Sequence, residues 1–104
     1  AHALGQHLSR EVTIVNIPFD GLIPALKTGT IDVIISSMTA TEERGKSVDF
    51  STPYLQTGLA IFASADSTFT NAATLNHSDY TVAVKLGTTG HLYGALDLSP
   101  GLTD

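Results

Sequence analysis

The sequence predicts an α/β protein, because strand-like and helix-like segments alternate along its 104 residues. The main observation is a strand–helix–strand pattern, in which β-branched or apolar runs at residues 11–17 and 31–35 flank a helical segment at 22–27. A strand–turn–helix pattern that begins at residue 80 is the second observation. Hydrophobic residues make up 42% of the chain, which is enough to build a core.

Local signals define the first elements. Residues 1–8 resemble the end of a helix, and EVTIVNI at 11–17 has the composition of a strand. Asp20 is expected to cap the helix at 22–27, and Gly29 follows the end of that helix. These signals predict a short helix after the first strand.

The segment IDVII at residues 31–35 is nearly all apolar. Such a run is typical of a strand that is buried on both faces of a parallel sheet. The connection from 17 to 32 is long enough for a βαβ crossover, which needs about a dozen residues. We therefore predict that residues 12–17 and 31–35 are adjacent parallel strands of one sheet.

Composition and charge argue against several classes of function. The formal net charge is −5 and the chain has only five Lys and Arg residues, so a nucleic-acid partner is not expected. The absence of cysteine excludes disulfides and cysteine-ligated metals. No histidine pair has the i,i+4 spacing of a helical metal site, so neither a metal nor a cofactor is expected. The four histidines are His2, His7, His77 and His91.

A polar cluster, SSMTATEER, follows the apolar run at 31–35. In open α/β sheets, ligands bind beyond the carboxyl ends of the strands. The hydroxyl side chains at that edge are Ser36, Ser37 and Thr39. Thr39 or Thr41 can cap the next helix, and Arg44 lies about one turn into it. Two interpretations remain open: a ligand site, or ordinary caps beside a solvated charge.

A second turn, GTTG at residues 87–90, follows the alternating segment YTVAVKL at 80–86. A strand–turn–helix junction of this kind aims backbone N–H groups at an anion. The spacing and lysine of a phosphate-binding GxxxxGK[ST] loop are absent. The alternative is an ordinary turn with a threonine cap.

Together these stretches resemble the polar amino-acid family of bacterial extracellular solute-binding proteins. The resemblance is carried by FDGLIPALKTGTIDVIISSMTATEERGKSVDFSTPY at residues 19–54 and by VAVKLGTTGHLY at 82–93. It implies an α/β, two-lobed, periplasmic-binding-protein-like (type II) fold with a mostly parallel sheet in lobe one. Members of the family close on a ligand and deliver it to an ABC importer.

The resemblance also implies roles for individual residues. The family's SxMTxTxER pattern begins at Ser36 and assigns Arg44 to the α-carboxylate of an amino acid, whose two oxygens match the guanidinium fork. Ser37 and Thr39 are expected to offer a carbonyl and a hydroxyl to the α-ammonium group. Phe19 has two interpretations, contact with the ligand side chain or core packing.

From the other lobe, Thr88 and Thr89 are expected to donate hydrogen bonds to the ligand carboxylate. The family pattern divides the chain into part of lobe one (1–53), a hinge (54–60) and the beginning of lobe two (61–104). Because family members are usually about twice this length, the chain is expected to be a fragment. Apolar faces that the missing parts would cover favour self-association.

Three functions fit this resemblance. The first is extracytoplasmic binding of an amino acid or similar small polar solute for an ABC permease. The second is a ligand-sensing domain of a receptor or sensor kinase. A dehydratase-like enzyme comes third, because the chain has neither a GxSxG nor an HExxH motif. The expected location is periplasmic or extracellular, with a lipid anchor if the source is Gram-positive.

Overall fold

A computed structural model describes residues 1–67, 73, 80–97 and 101–103 of the chain. The chain divides into two units, Ala1–Thr52 and Pro53–Asp104, which we call the first and the second unit. The domain limits at 1–53, 54–60 and 61–104 stay a prediction. None of the helices in the described part of the chain combines the length and the hydropathy of a membrane span.

The first unit opens with helix α1 (His2–Leu8), whose last turn is closed by Ser9 in a left-handed conformation, φ 54°. The backbone of α1 lies against the chain that follows it. A Cβ atom placed on the buried Gly5 would lie 2.9 Å from the Arg10 carbonyl oxygen and would overlap the side chain of Val12. Only glycine therefore fits at this position without a shift of the neighbouring chain.

A 3₁₀ helix at Phe19–Gly21 leads directly into helix α2 (Leu22–Lys27). The bounds predicted for α2 are confirmed, and Gly29 follows it with a φ of 78°, which suits glycine. The predicted cap at Asp20 is wrong, because Asp20 lies inside the 3₁₀ helix. Gly21 occupies the N-cap and makes no side-chain hydrogen bond. Helix α3 (Glu42–Gly45) completes the helices of this unit in the described residues.

The parallel sheet predicted for this unit is not confirmed. Residues 11–17 and 31–35 are neither helix nor strand, and within the described chain no backbone hydrogen bond joins them. A β-strand needs a hydrogen-bonded neighbour as well as β-branched residues, and here neither run has one. Several of their apolar side chains are exposed, with Ile14 at 69% and Val33 at 56% of full exposure.

The second unit contains a strand–helix–strand arrangement. Strand β1 (Thr81–Ala83) pairs in parallel with strand β2 (Gly101–Thr103), with Val82 opposite Leu102. Helix α4 (Thr89–Asp97) lies between them in the chain. The strand predicted in the alternating segment at 80–86 is thus confirmed for residues 81–83. The apolar run LAIFA at residues 59–63 is neither helix nor strand.

Candidate functional site

Helix α3 places Arg44, and Thr41 determines where α3 begins. Thr41 has an extended backbone, φ −94° and ψ 157°, and its Oγ1 accepts a hydrogen bond from the Arg44 N–H at 3.2 Å. Glu42 and Glu43 occupy the first turn, where carboxylates are favourable. The predicted cap at Thr41 is therefore confirmed, and it makes Arg44 the third residue of the helix.

The side chain of Arg44 turns back toward the preceding segment. Its Nη1 donates a hydrogen bond to the Thr39 carbonyl oxygen at 2.8 Å, and its Cζ lies 5.6 Å from the centroid of the Phe19 ring. Desolvation by burial lowers the pKa of Arg44 below its ordinary value. A guanidinium still keeps its charge at any physiological pH, so a half-buried cation is fixed at this point.

Phe19 has a role that neither sequence interpretation contained. Its half-buried ring presents its face to the guanidinium of Arg44, at a distance typical of a cation–π contact. The 3₁₀ helix holds the backbone of Phe19, since the Gly21 N–H donates to the Pro18 carbonyl at 2.9 Å. The structure thus brings Phe19, Thr39 and Arg44 together around one cation.

The other predicted hydroxyl groups lie on the exposed segment before α3. Ser36, Ser37 and Thr39 are all exposed. Ser37 has a φ of 52°, in the left-handed region that residues other than glycine seldom adopt. Such backbone strain is concentrated at ligand sites and switch regions. The contacts of Ser37 and Thr39 with a ligand ammonium, and of Ser36 with a ligand, stay a prediction, whereas the Thr39 carbonyl is already bonded to Arg44.

The GTTG turn of the second unit is organised by Thr88. Its Oγ1 donates to the Lys85 carbonyl at 2.7 Å and accepts from the His91 N–H at 3.1 Å, so Thr88 caps α4. Gly87 provides the left-handed backbone of the turn, φ 79°. Thr89 is half-buried at the first position of α4. The contacts of Thr88 and Thr89 with a ligand stay a prediction.

His91 makes a hydrogen bond with Gly87 that the sequence did not reveal. Its ring Nδ1 accepts a hydrogen bond from the Gly87 N–H at 3.3 Å, and the residue is half-buried. The signal in the sequence is a histidine four residues after the turn glycine, with a capping threonine directly after that glycine.

A metal centre has no candidate residues in the described part of the chain, where no three His, Cys, Asp or Glu side chains come together. An open depression beside α1 is lined in part by His2, Gln6 and Arg10, and it shares no residue with the Arg44 cluster. The cluster of Phe19, Thr39 and Arg44 is therefore the candidate site of the first unit.

The chain is similar to several curated amino-acid-binding proteins. A probable histidine-binding protein of Campylobacter jejuni is 61% identical over 44 residues, 42% of this chain and 17% of that protein. An L-arginine-binding protein of Pseudomonas aeruginosa is 37% identical over 99 residues, 95% of this chain and 38% of that protein. The arginine-binding extracellular protein ArtP of Bacillus subtilis is 36% identical over 100 residues, 96% of this chain and 38% of that protein.

The chain thus spans less than half the length of these curated relatives. No solved structure gave a match. Residues 1–93 match the family described as bacterial extracellular solute-binding proteins, family 3. This family has a two-lobed, type II periplasmic-binding fold, works outside the cytoplasm and consists of binding proteins that are not enzymes. The match covers most of the chain, which therefore belongs to family 3 of the bacterial extracellular solute-binding proteins.

Proposed function

We propose that this protein binds an amino acid outside the cytoplasm and delivers it to the membrane permease of an ABC importer. The observation that carries the proposal is the half-buried residue Arg44, whose guanidinium is bonded to the Thr39 carbonyl and lies over the Phe19 ring. Family membership and the relatives named as amino-acid-binding proteins support the same function.

Arg44 is proposed to bind the α-carboxylate of the ligand. A guanidinium has five N–H donors in a planar fork that matches the two oxygens of a carboxylate. Its partial burial makes the ion pair stronger than one in open water, because screening by solvent is reduced. The Thr39 bond and the Phe19 ring restrict the rotamers of Arg44, so less side-chain entropy is lost on binding.

The remaining contacts of the ligand are proposed from the family pattern. Ser37 and Thr39 are assigned to the α-ammonium group, Ser36 to contact with the ligand, and Thr88 and Thr89 to further hydrogen bonds with the carboxylate. We also propose that the first lobe contains a mostly parallel sheet, with lobe limits at 1–53 and 61–104 and a hinge at 54–60. We further propose that the chain self-associates through its apolar faces and that, in a Gram-positive source, the protein has a lipid anchor.

Cationic amino acids are the proposed ligand class. Two of the relatives described above are named for arginine and one for histidine, and others are named for cystine. All of these ligands share the α-carboxylate and α-ammonium groups that the proposed site recognises. The names of the relatives favour transport over sensing, since one arginine-binding relative from Escherichia coli is named as an ABC transporter protein.

A thermal-shift screen of the full-length protein against the common amino acids tests this function. A ligand that binds only the native state stabilises it by about 2.7 kcal/mol at 100 times its Kd. We expect L-arginine or another cationic amino acid to raise the Tm, and glycerol and simple sugars to leave it unchanged. A Tm that no amino acid raises at millimolar concentration would contradict the proposal.

A further inference from the structure

We propose that His91 is a positioning residue, whose neutral imidazole holds the GTTG turn at residues 87–90 in place. The histidine contacts the turn twice, once through its backbone N–H and once through its ring. The consequence of this role for ligand binding rests on the proposed function, whereas the role itself concerns only the conformation of the turn.

The turn is closed by a connected set of hydrogen bonds. The Thr88 hydroxyl donates to the Lys85 carbonyl at 2.7 Å and accepts from the His91 N–H at 3.1 Å. The Gly87 N–H then donates to the His91 ring Nδ1 at 3.3 Å. Gly87 has a left-handed backbone at this point of the turn, with a φ of 79°.

The bond from Gly87 determines which nitrogen of the neutral His91 ring carries the proton. Nδ1 can accept only if its lone pair is free, so the proton of the neutral imidazole is on Nε2. When the imidazole gains a second proton, Nδ1 becomes a donor and the bond from Gly87 is lost. The new positive charge also lies in the first turn of α4, where the helix dipole disfavours cations. Both effects loosen the turn as the pH falls.

The second unit has five other titratable residues whose side chains the structure describes. They are Tyr54, Asp66, Tyr80, Lys85 and Tyr93. None of them forms an ion pair with His91 in the described part of the chain, where the ion pair found joins Lys46 and Glu43 in the first unit. Histidine is the side-chain type that ordinarily changes its charge between about pH 5 and pH 8.

The test is the Gly87 amide signal of the ¹⁵N-labelled full-length protein, followed by NMR from pH 8 to pH 5. In the wild type the signal should move as the pH falls. In His91→Asn the side-chain oxygen can accept the same bond but does not titrate, so the signal should stay constant with pH. In His91→Ala the bond is absent at every pH, and Gly87 amide exchange should be about three- to tenfold faster. His7→Asn, in α1, is the matched control and should behave as the wild type.

A Gly87 signal with the same pH dependence in the wild type and in His91→Ala would overturn the proposal. The amide readout needs no ligand, so it remains decisive even if the proposed function is wrong. With L-arginine as the probe, wild-type affinity should fall about two- to tenfold from pH 8 to pH 5.5, the factor that one hydrogen bond provides. In His91→Asn the affinity should change little over the same pH range. A fall in affinity equal to that of the wild type would contradict the coupling of His91 to the ligand.

Discussion

The turns before α3 and α4 use the same local chemistry for different purposes. In each, a threonine hydroxyl accepts the N–H of the third following residue, at 3.2 Å for Thr41 and 3.1 Å for Thr88. In the first turn that third residue is Arg44, a cation, whereas in the second it is His91, which accepts a hydrogen bond through its ring. The residue three positions after the cap is therefore where the two turns differ in function.

This difference indicates different roles for the two turns in ligand binding. The first turn positions the half-buried residue Arg44, whose charged guanidinium contacts Thr39 and Phe19. The second turn fixes backbone N–H groups and hydroxyls at the start of a helix of nine residues. We expect the charge to supply most of the binding free energy and the second turn to supply orientation.

Removal of the charge should have the largest effect. Truncating one partner of a buried, hydrogen-bonded charge pair costs roughly 2–5 kcal/mol, so Arg44→Ala should weaken amino-acid binding about 30-fold to several thousand-fold. Isothermal titration calorimetry measures the loss, and circular dichroism checks the fold. Arg10→Ala is the matched control, since Arg10 lies outside the Arg44 cluster and should change binding little. If Arg44→Ala binds within about twofold of wild type, a difference of ~0.4 kcal/mol, Arg44 is only a surface charge.

Arg44→Lys should restore only part of the affinity. The ammonium keeps the charge but cannot form the two parallel hydrogen bonds of a guanidinium fork. We expect an affinity about ten times weaker than that of the wild type, equivalent to a loss of about 1.4 kcal/mol. The same calorimetric titration measures it. Full recovery of affinity in Arg44→Lys would show that the fork geometry does not matter.

Loss of either cap should affect stability. Replacing an N-cap threonine with alanine costs about 1 kcal/mol, so Thr41→Ala and Thr88→Ala should each lower the free energy of unfolding by that amount. The loss should be greater for Thr88, because its hydroxyl also donates to the Lys85 carbonyl. Urea denaturation of the full-length protein measures both. The exposed Thr13 provides the control, and a Thr13→Ala variant as unstable as the other two would refute the capping roles.

Loss of the aromatic ring should have the smallest effect. A cation–π contact at a partly exposed site contributes about 0.5–1 kcal/mol, so Phe19→Leu should weaken binding about two- to fivefold. Phe19→Tyr keeps the ring face and should bind as the wild type does. Calorimetry with both variants decides, and equal losses in Phe19→Leu and Phe19→Tyr would argue against a role for the ring face.

Short-range features of the chain could be predicted from the sequence. The bounds of α2 and the cap at Thr41 depend on residues within a turn of each other, so local patterns identify them. A local pattern could not determine whether the first unit forms a sheet, because a strand needs a hydrogen-bonded partner from another part of the chain. Asp20 was misassigned as a cap because the pattern gave no sign of the 3₁₀ helix that contains it.

The candidate site was predictable in part for the same reason. The resemblance to the solute-binding family implied a carboxylate partner for Arg44, whereas its residue type and spacing alone also fitted a solvated charge. Its contact with Phe19 joins residues that are distant in sequence, and no periodicity reveals such a pair. The bond from Gly87 to His91 depends on the left-handed backbone of the turn and on the direction of one ring, which a residue pattern does not contain.

The most direct test of the central claim is a cycle of two proteins and two ligands. Calorimetry would compare L-arginine with its decarboxylated analogue agmatine, in the wild type and in Arg44→Ala. If Arg44 binds the α-carboxylate, the wild type should bind agmatine at least about 30-fold more weakly than L-arginine, whereas Arg44→Ala should bind the two within about threefold. If Arg44→Ala still prefers L-arginine as strongly as the wild type does, Arg44 does not bind the carboxylate.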